Sequence, residues 1–140
     1  MTESMMGFRR RAWHWLPRHQ RRVIRHRGSL TRLPRGFSSN DLSVRVLREG
    51  YQLPHPDEAR ELALGVRQKT WIREVQLVGD GTAWVQARTV IPLPCLKGKN
   101  RRLRHLGNRP LGSALFGRQP WRREAFVCGQ ARPYGHVNPY

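Results

Sequence analysis

Cysteine is scarce in this chain of 140 residues: Cys95 and Cys128 are the only two, in neither a CxxC pair nor a metal-ligand spacing with histidine. A disulfide framework and a zinc site are therefore not expected, and a reducing cytoplasm is the expected setting. Long apolar runs are missing as well. No stretch approaches the roughly 18 residues of a membrane-spanning helix, and no apolar core follows the N-terminal charges as in a secretory leader. Neither a membrane partner nor secretion is expected, although the Arg-rich start shares its composition with mitochondrial presequences.

Acid is the second scarcity, with nine Asp+Glu against 27 Lys+Arg, a formal net charge of +18 and a pI near 11.8. Lysine is rare too, since only Lys69, Lys97 and Lys99 break an otherwise arginine-only set. Such a charge points first to nucleic acid, because neutralised phosphates supply most non-specific affinity. Its distribution argues otherwise. Residues 1–35 carry ten arginines and one acid, residues 92–140 carry ten basic residues and one acid, and residues 36–91 carry seven of each. The excess thus sits on two flanks around a neutral middle, and no zinc-finger, RNA-recognition or helix-turn-helix signature accompanies it. With 38% hydrophobic residues and five Trp, the chain can bury a modest core, and its length fits one domain and excludes a large multidomain enzyme.

Along the chain, residues 1–27 read as a basic arm, frayed or partly helical and interrupted by Pro17. Residues 28–128 read as the domain and residues 129–140 as an irregular Gly/Pro-rich tail. Within the domain, residues 28–40 are a loop and residues 42–47 alternate as a half-buried strand. Residues 56–65 predict a short helix, with Pro56 at its first position, Asp57 and Glu58 in the first turn and Gly65 at its end. Residues 97–106 are basic with helical character, residues 110–116 form a short helix closed by Gly117, and residues 121–128 predict another strand.

The strongest local signal is a β-hairpin, residues 71–78 and 83–91 joined through Gly79, Asp80, Gly81 and Thr82. A regular two-residue turn at Asp80 and Gly81 sets Leu77 opposite Trp84, Val75 opposite Gln86, Arg73 opposite Arg88 and Trp71 opposite Val90. Two arginines then face each other on an apolar surface, where like charge and lost hydration both cost free energy. An anion should offset them. Internal carboxylates are one source, with Glu74 on the wrong face in this register, and a bound carboxylate held by a guanidinium fork is the other.

At these residues the sequence resembles the chorismate lyase family. The resemblance runs through Gly28-Ser29-Leu30-Thr31, residues 44–50 with Leu47-Arg48-Glu49-Gly50, Trp71-Ile72-Arg73-Glu74-Val75 and Gly79-Asp80-Gly81. It continues in Trp84, Ala87-Arg88-Thr89-Val90-Ile91-Pro92, Leu106-Gly107, Arg109-Pro110-Leu111-Gly112 and Leu115-Phe116. It implies an α+β fold, an antiparallel sheet flanked by short helices with the ligand enclosed between them. It also implies removal of pyruvate from chorismate to leave 4-hydroxybenzoate, a ubiquinone precursor, by a monomer using no metal or organic cofactor. By the same resemblance Arg73 holds the benzoate carboxylate, Arg88 is a second basic group of the site, Leu111 contacts the ring, and Leu30 stands where the family often has methionine. On that basis Arg73 and Arg88 are the catalytic candidates, and Leu30, Arg73 and Leu111 bind substrate.

Two departures accompany the match. The family carries a glutamate on a late strand, and the context of Glu124, the only acid after Asp80, does not resemble that segment, so the expected fold lacks its C-terminal glutamate-bearing strand. The basic residues 18–27 replace the acidic, leucine-containing helix usual before Gly28. A non-catalytic binder of aromatic acids, or a basic nucleic-acid-binding protein using the flanks with Trp13, Trp15 and Trp121, are the alternative readings.

Overall fold

The computed structural model describes residues 9–10, 17–25, 42–115, 121–122 and 129–130. Its centre is a three-stranded antiparallel sheet of β2 (Ser43–Gln52), β3 (Thr70–Gly79) and β4 (Thr82–Pro92), with β3 in the middle. A separate two-stranded ribbon pairs β1 (Arg9–Arg10) with β5 (Gly129–Gln130). Two stretches expected to be irregular thus meet as strands, while the rest of the expected tail lies outside the described residues. So do the loop at 28–40, with Leu30, and most of the strand expected at 121–128; residues 121 and 122 have no regular structure. Within the basic arm, α1 (Arg18–Arg25) supplies the helical part. No described helix is long and apolar enough to cross a membrane.

β-Branched and aromatic residues at alternating positions make β3 and β4 strands, and the turn joins them as expected. Asp80 (φ 49°) and Gly81 (φ 76°) both adopt left-handed conformations, which a two-residue type I′ turn requires and whose twist suits the flanking strands. Gly79 pairs with Thr82 and Val78 with Ala83, but the register then shifts, so that Leu77 pairs with Val85 and Trp84 is an extra residue in β4. A second bulge lies in β2. Val46 pairs with Val75 and Arg48 with Glu74, which leaves Leu47 as the extra residue there. The β2 strand also runs past Gly50 to Gln52, because that glycine (φ 156°) is carried inside the ladder opposite Ile72.

Between β2 and β3 lies α2 (Pro56–Glu61), shorter than its sequence pattern. Ala63, rather than Gly65, takes the left-handed position (φ 51°), and the Leu64 N–H donates back to the Ala59 carbonyl at 2.8 Å to close the helix. After β4 the chain forms two 3-10 helices, Leu93–Leu96 and Gly98–His105, before α3 (Leu111–Leu115). Leu103 within the second of these helices and Leu106 just after it are buried and give the basic stretch its apolar side.

Two apolar clusters form the core. Leu96, Leu103, Leu106 and Ala114 pack with Trp71, Ile91 and Leu111 at one end of the sheet. Leu42, Val44 and Leu77 pack with Val46, Val75 and Val85 at the other. Trp71, Val75 and Leu77 alternate along β3, so both clusters lie on one face of the sheet.

Candidate carboxylate-binding site

Strand pairing arranges that face in cross-strand rows. Tyr51, Trp71 and Ile91 form one row, with the Tyr51 and Trp71 rings edge to face at 5.1 Å. The next row is Glu49, Arg73 and Thr89, followed by Val46, Val75 and Ala87, and then Val44, Leu77 and Val85. Arg73 therefore stands between the two apolar clusters as the only charged residue that β3 contributes to this face.

Arg73 is 3% exposed, and a guanidinium so buried needs partners on every side. Its Nη1 donates to Glu49 Oε2 at 2.6 Å, and its Nη2 donates to the carbonyls of Gly107 at 2.7 Å and Arg109 at 3.2 Å. Those two carbonyls belong to the turn that leads into α3, where Gly107 (φ 55°) adopts a conformation that glycine takes without strain. One side chain thus ties together β2, β3 and the approach to α3. Three bonds use three of the five guanidinium N–H groups, both of those on Nη2 among them, leaving Nε–H and one Nη1–H on separate edges of the group. Leu111 opens α3 next to this anchored turn and packs half-buried against the Leu96–Leu103–Leu106–Ala114 cluster. The indole N–H of Trp71, two positions from Arg73 on the same face, is buried and makes no hydrogen bond.

Arg88 lies on the opposite face. The extra residue Trp84 moves it one place along β4, so it pairs with Glu74 rather than with Arg73. The expected pair of facing arginines does not form, and the sheet does not bring Arg88 to the group it was expected to assist. Arg88 instead holds two carboxylates: Nε and Nη2 donate to Glu58 of α2 at 2.7 and 3.1 Å, and Nη1 donates to Glu74. Glu58 also accepts the His55 N–H at 2.8 Å, closing the N-terminus of α2. Burial opposes ionisation of Glu58, but the hydrogen bonds from Arg88 and His55 outweigh it and hold this carboxyl below its usual range. Burial likewise works against the charge on Arg88, and the bonds to Glu58 and Glu74 outweigh it and raise its pKa.

Of the four residues expected to form the site, Arg73 and Leu111 lie on the same side of the sheet, Leu111 in the cluster that includes Trp71, Arg88 is on the other side, and Leu30 lies outside the described residues. Glu49 and Glu58 were not anticipated as partners. Glu49 stands inside the Leu47-Arg48-Glu49-Gly50 segment, but its placement depends on the β2 bulge, which hydrophobic alternation alone does not locate.

An α+β domain with a buried arginine at the centre of its covered sheet face is the class defined so far. A family model for chorismate lyase matches residues 13–134. The chain is 50% identical over 111 residues to a probable chorismate pyruvate-lyase of Marinobacter nauticus, covering 78% of this chain and 59% of that relative. It is 47% identical over 105 residues to a probable chorismate pyruvate-lyase of Methylococcus capsulatus, covering 75% of this chain and 65% of the relative. To the chorismate pyruvate-lyase of Erwinia tasmaniensis it is 36% identical over 90 residues, covering 64% and 52% respectively. The chain belongs to the chorismate lyase family. It spans just over half to about two thirds of the length of these relatives.

Proposed function

We propose that this chain carries the carboxylate-binding part of a chorismate pyruvate-lyase, which converts chorismate to 4-hydroxybenzoate and pyruvate for ubiquinone synthesis. The observation that carries this reading is Arg73, a buried guanidinium set between two apolar clusters with donors left after its internal bonds are made. A guanidinium in such a setting suits the ring carboxylate of chorismate, which accepts from a remaining N–H while apolar walls exclude water. Leu111 borders the ring, with Leu30 assigned to the same role by family resemblance, and the unpartnered Trp71 N–H supplies a further donor on that face.

The reaction breaks the ether bond to the enolpyruvyl group while the ring loses a proton, and the enol released takes a proton to become pyruvate. Aromatisation drives it, so the protein contributes positioning, proton transfer and stabilisation of charge on the departing oxygen. Positioning falls to Arg73 in this reading, and Arg88 is assigned to holding α2 against the sheet. The partner is a small molecule, the protein acts as a monomer, and the exposed free thiol of Cys95 supports a reducing, cytoplasmic setting.

The test is to incubate the purified chain with chorismate and follow 4-hydroxybenzoate and pyruvate, which are expected in equal amounts above the spontaneous rate. Absence of both products from folded protein would overturn the enzymatic reading. Calorimetry with 4-hydroxybenzoate then distinguishes a binder without turnover, and Arg73→Ala is expected to remove the heat.

A further inference from the structure

We infer that Glu49 is a positioning residue for this site, fixing the plane of the Arg73 guanidinium so that its remaining donors meet the substrate carboxylate. The inference rests on the proposed role of Arg73 and adds a residue to which the family resemblance assigns no role.

Three observations carry it. Glu49 sits directly opposite Arg73 in the β2–β3 ladder, and its Oε2 accepts from Nη1 at 2.6 Å, the shortest of the three bonds to that guanidinium. The other two acceptors are main-chain carbonyls, which follow the fold and leave Glu49, among the described residues, as the one side chain bonded to the group. The ladder itself is displaced to bring Glu49 there. If Leu47 were paired with Glu74 instead of standing out as a bulge, the register from Val46 and Val75 would set Arg48 opposite Arg73, and the bulge substitutes a carboxylate for a second guanidinium.

A carboxylate beside a carboxylate-binding arginine also repels the ligand, so the two effects of Glu49 have opposite signs. Contact with Nη1 orients the fork; negative charge weakens its hold on an anion. The short bond and the 28% exposure of the Glu49 side chain, against 3% for Arg73, make orientation the larger effect, because the partly hydrated carboxylate is screened while the bond remains fixed.

Three variants separate contact from charge. Glu49→Gln keeps an oxygen in place and removes the charge; Glu49→Asp keeps the charge and withdraws it by one methylene; Glu49→Ala removes both. Calorimetry with 4-hydroxybenzoate and steady-state kinetics with chorismate are measured on each, with thermal melts as a check on folding. The expected result is wild-type affinity or tighter for Glu49→Gln, with Glu49→Asp weakened on the order of tenfold in Kd and KM, as for loss of one charge-assisted bond. The change in kcat is expected to be smaller. If Glu49→Ala fails to fold, the Gln and Asp pair still decides the matter. Wild-type affinity in Glu49→Asp, or weakened binding confined to Glu49→Gln, overturns the inference, since charge and not contact would then be what matters. A wild-type chain that neither binds 4-hydroxybenzoate nor turns over chorismate overturns the proposed function instead.

Discussion

Arg73 faces Glu49 and not Arg48, and the reason is a single extra residue, Leu47, in the neighbouring strand. The same device recurs on the other side of β3, where the extra residue Trp84 gives Arg88 the partner Glu74 in place of Arg73. Two bulges therefore convert two potential arginine pairs into ion pairs across a three-stranded sheet. They also send the two arginines to opposite faces, one toward the covered side beside Leu111 and one toward α2.

Replacing Arg88 by leucine is expected to lower stability and spare ligand binding. The side chain is 21% exposed and its partners Glu58 and Glu74 are 12% and 18% exposed, so the substitution leaves two largely buried carboxylates without their cation. A loss of about 2 kcal/mol is expected, short of the figure for a fully buried pair. Urea unfolding gives the stability and calorimetry with 4-hydroxybenzoate the binding. A lost heat from folded Arg88→Leu would return this residue to the ligand site.

The three strands of the central sheet, the turn and the approximate place of α2 and α3 follow from sequence, because Asp80 and Gly81 satisfy a local conformational demand and the apolar residues of β3 alternate along it, whereas the β1–β5 ribbon does not. Charge partners do not follow in the same way. A bulge changes them at the cost of one unpaired residue, and neither Leu47 nor Trp84 has a composition that announces it. The position of Arg73 on its strand therefore follows from Trp71-Ile72-Arg73-Glu74-Val75, while its carboxylate partner Glu49 does not. The end of α2 was misplaced for a related reason: Gly65 is the better left-handed residue by intrinsic preference, yet the helix closes at Ala63.

Acid is expected to unfold the domain partly through Glu58. Its pKa is lowered in the folded state, so the unfolded chain takes up a proton first as the pH falls. The stabilisation is complete above the normal carboxylate range and disappears as the pH drops through the lower, folded value. Urea midpoints measured across the acid range should fall less steeply for Glu58→Gln than for the wild type. Parallel curves would show that the Arg88 and His55 bonds contribute nothing to acid sensitivity.

Gly81→Ala is expected to destabilise the hairpin through its backbone alone. A Cβ at this position meets no atom within 4 Å, so no clash contributes, but the φ of 76° is disfavoured for alanine. The expected loss is about 1 kcal/mol, read from urea unfolding. An unchanged midpoint would mean that the turn relaxes to a form without the left-handed requirement.

Removing the β4 bulge provides the most direct test of the sheet. Trp84 is 45% exposed, and its indole N–H donates to the Gly79 carbonyl at 3.2 Å, so Trp84→Ala is expected to cost only about 1 kcal/mol. Deleting Trp84 is a different change, because it removes the extra residue and leaves a regular ladder in which Val85 still pairs with Leu77 and Arg88 with Glu74. The ion pairs of Arg88 with Glu58 and Glu74 are therefore kept, and the deletion removes only the bulge and the indole. The deletion is expected to cost about as much as the alanine variant, on the order of 1 kcal/mol. Urea unfolding of the two variants side by side makes the comparison, and a loss of about 3 kcal/mol or more for the deletion would show that the Arg88 pairing had not survived the closed bulge.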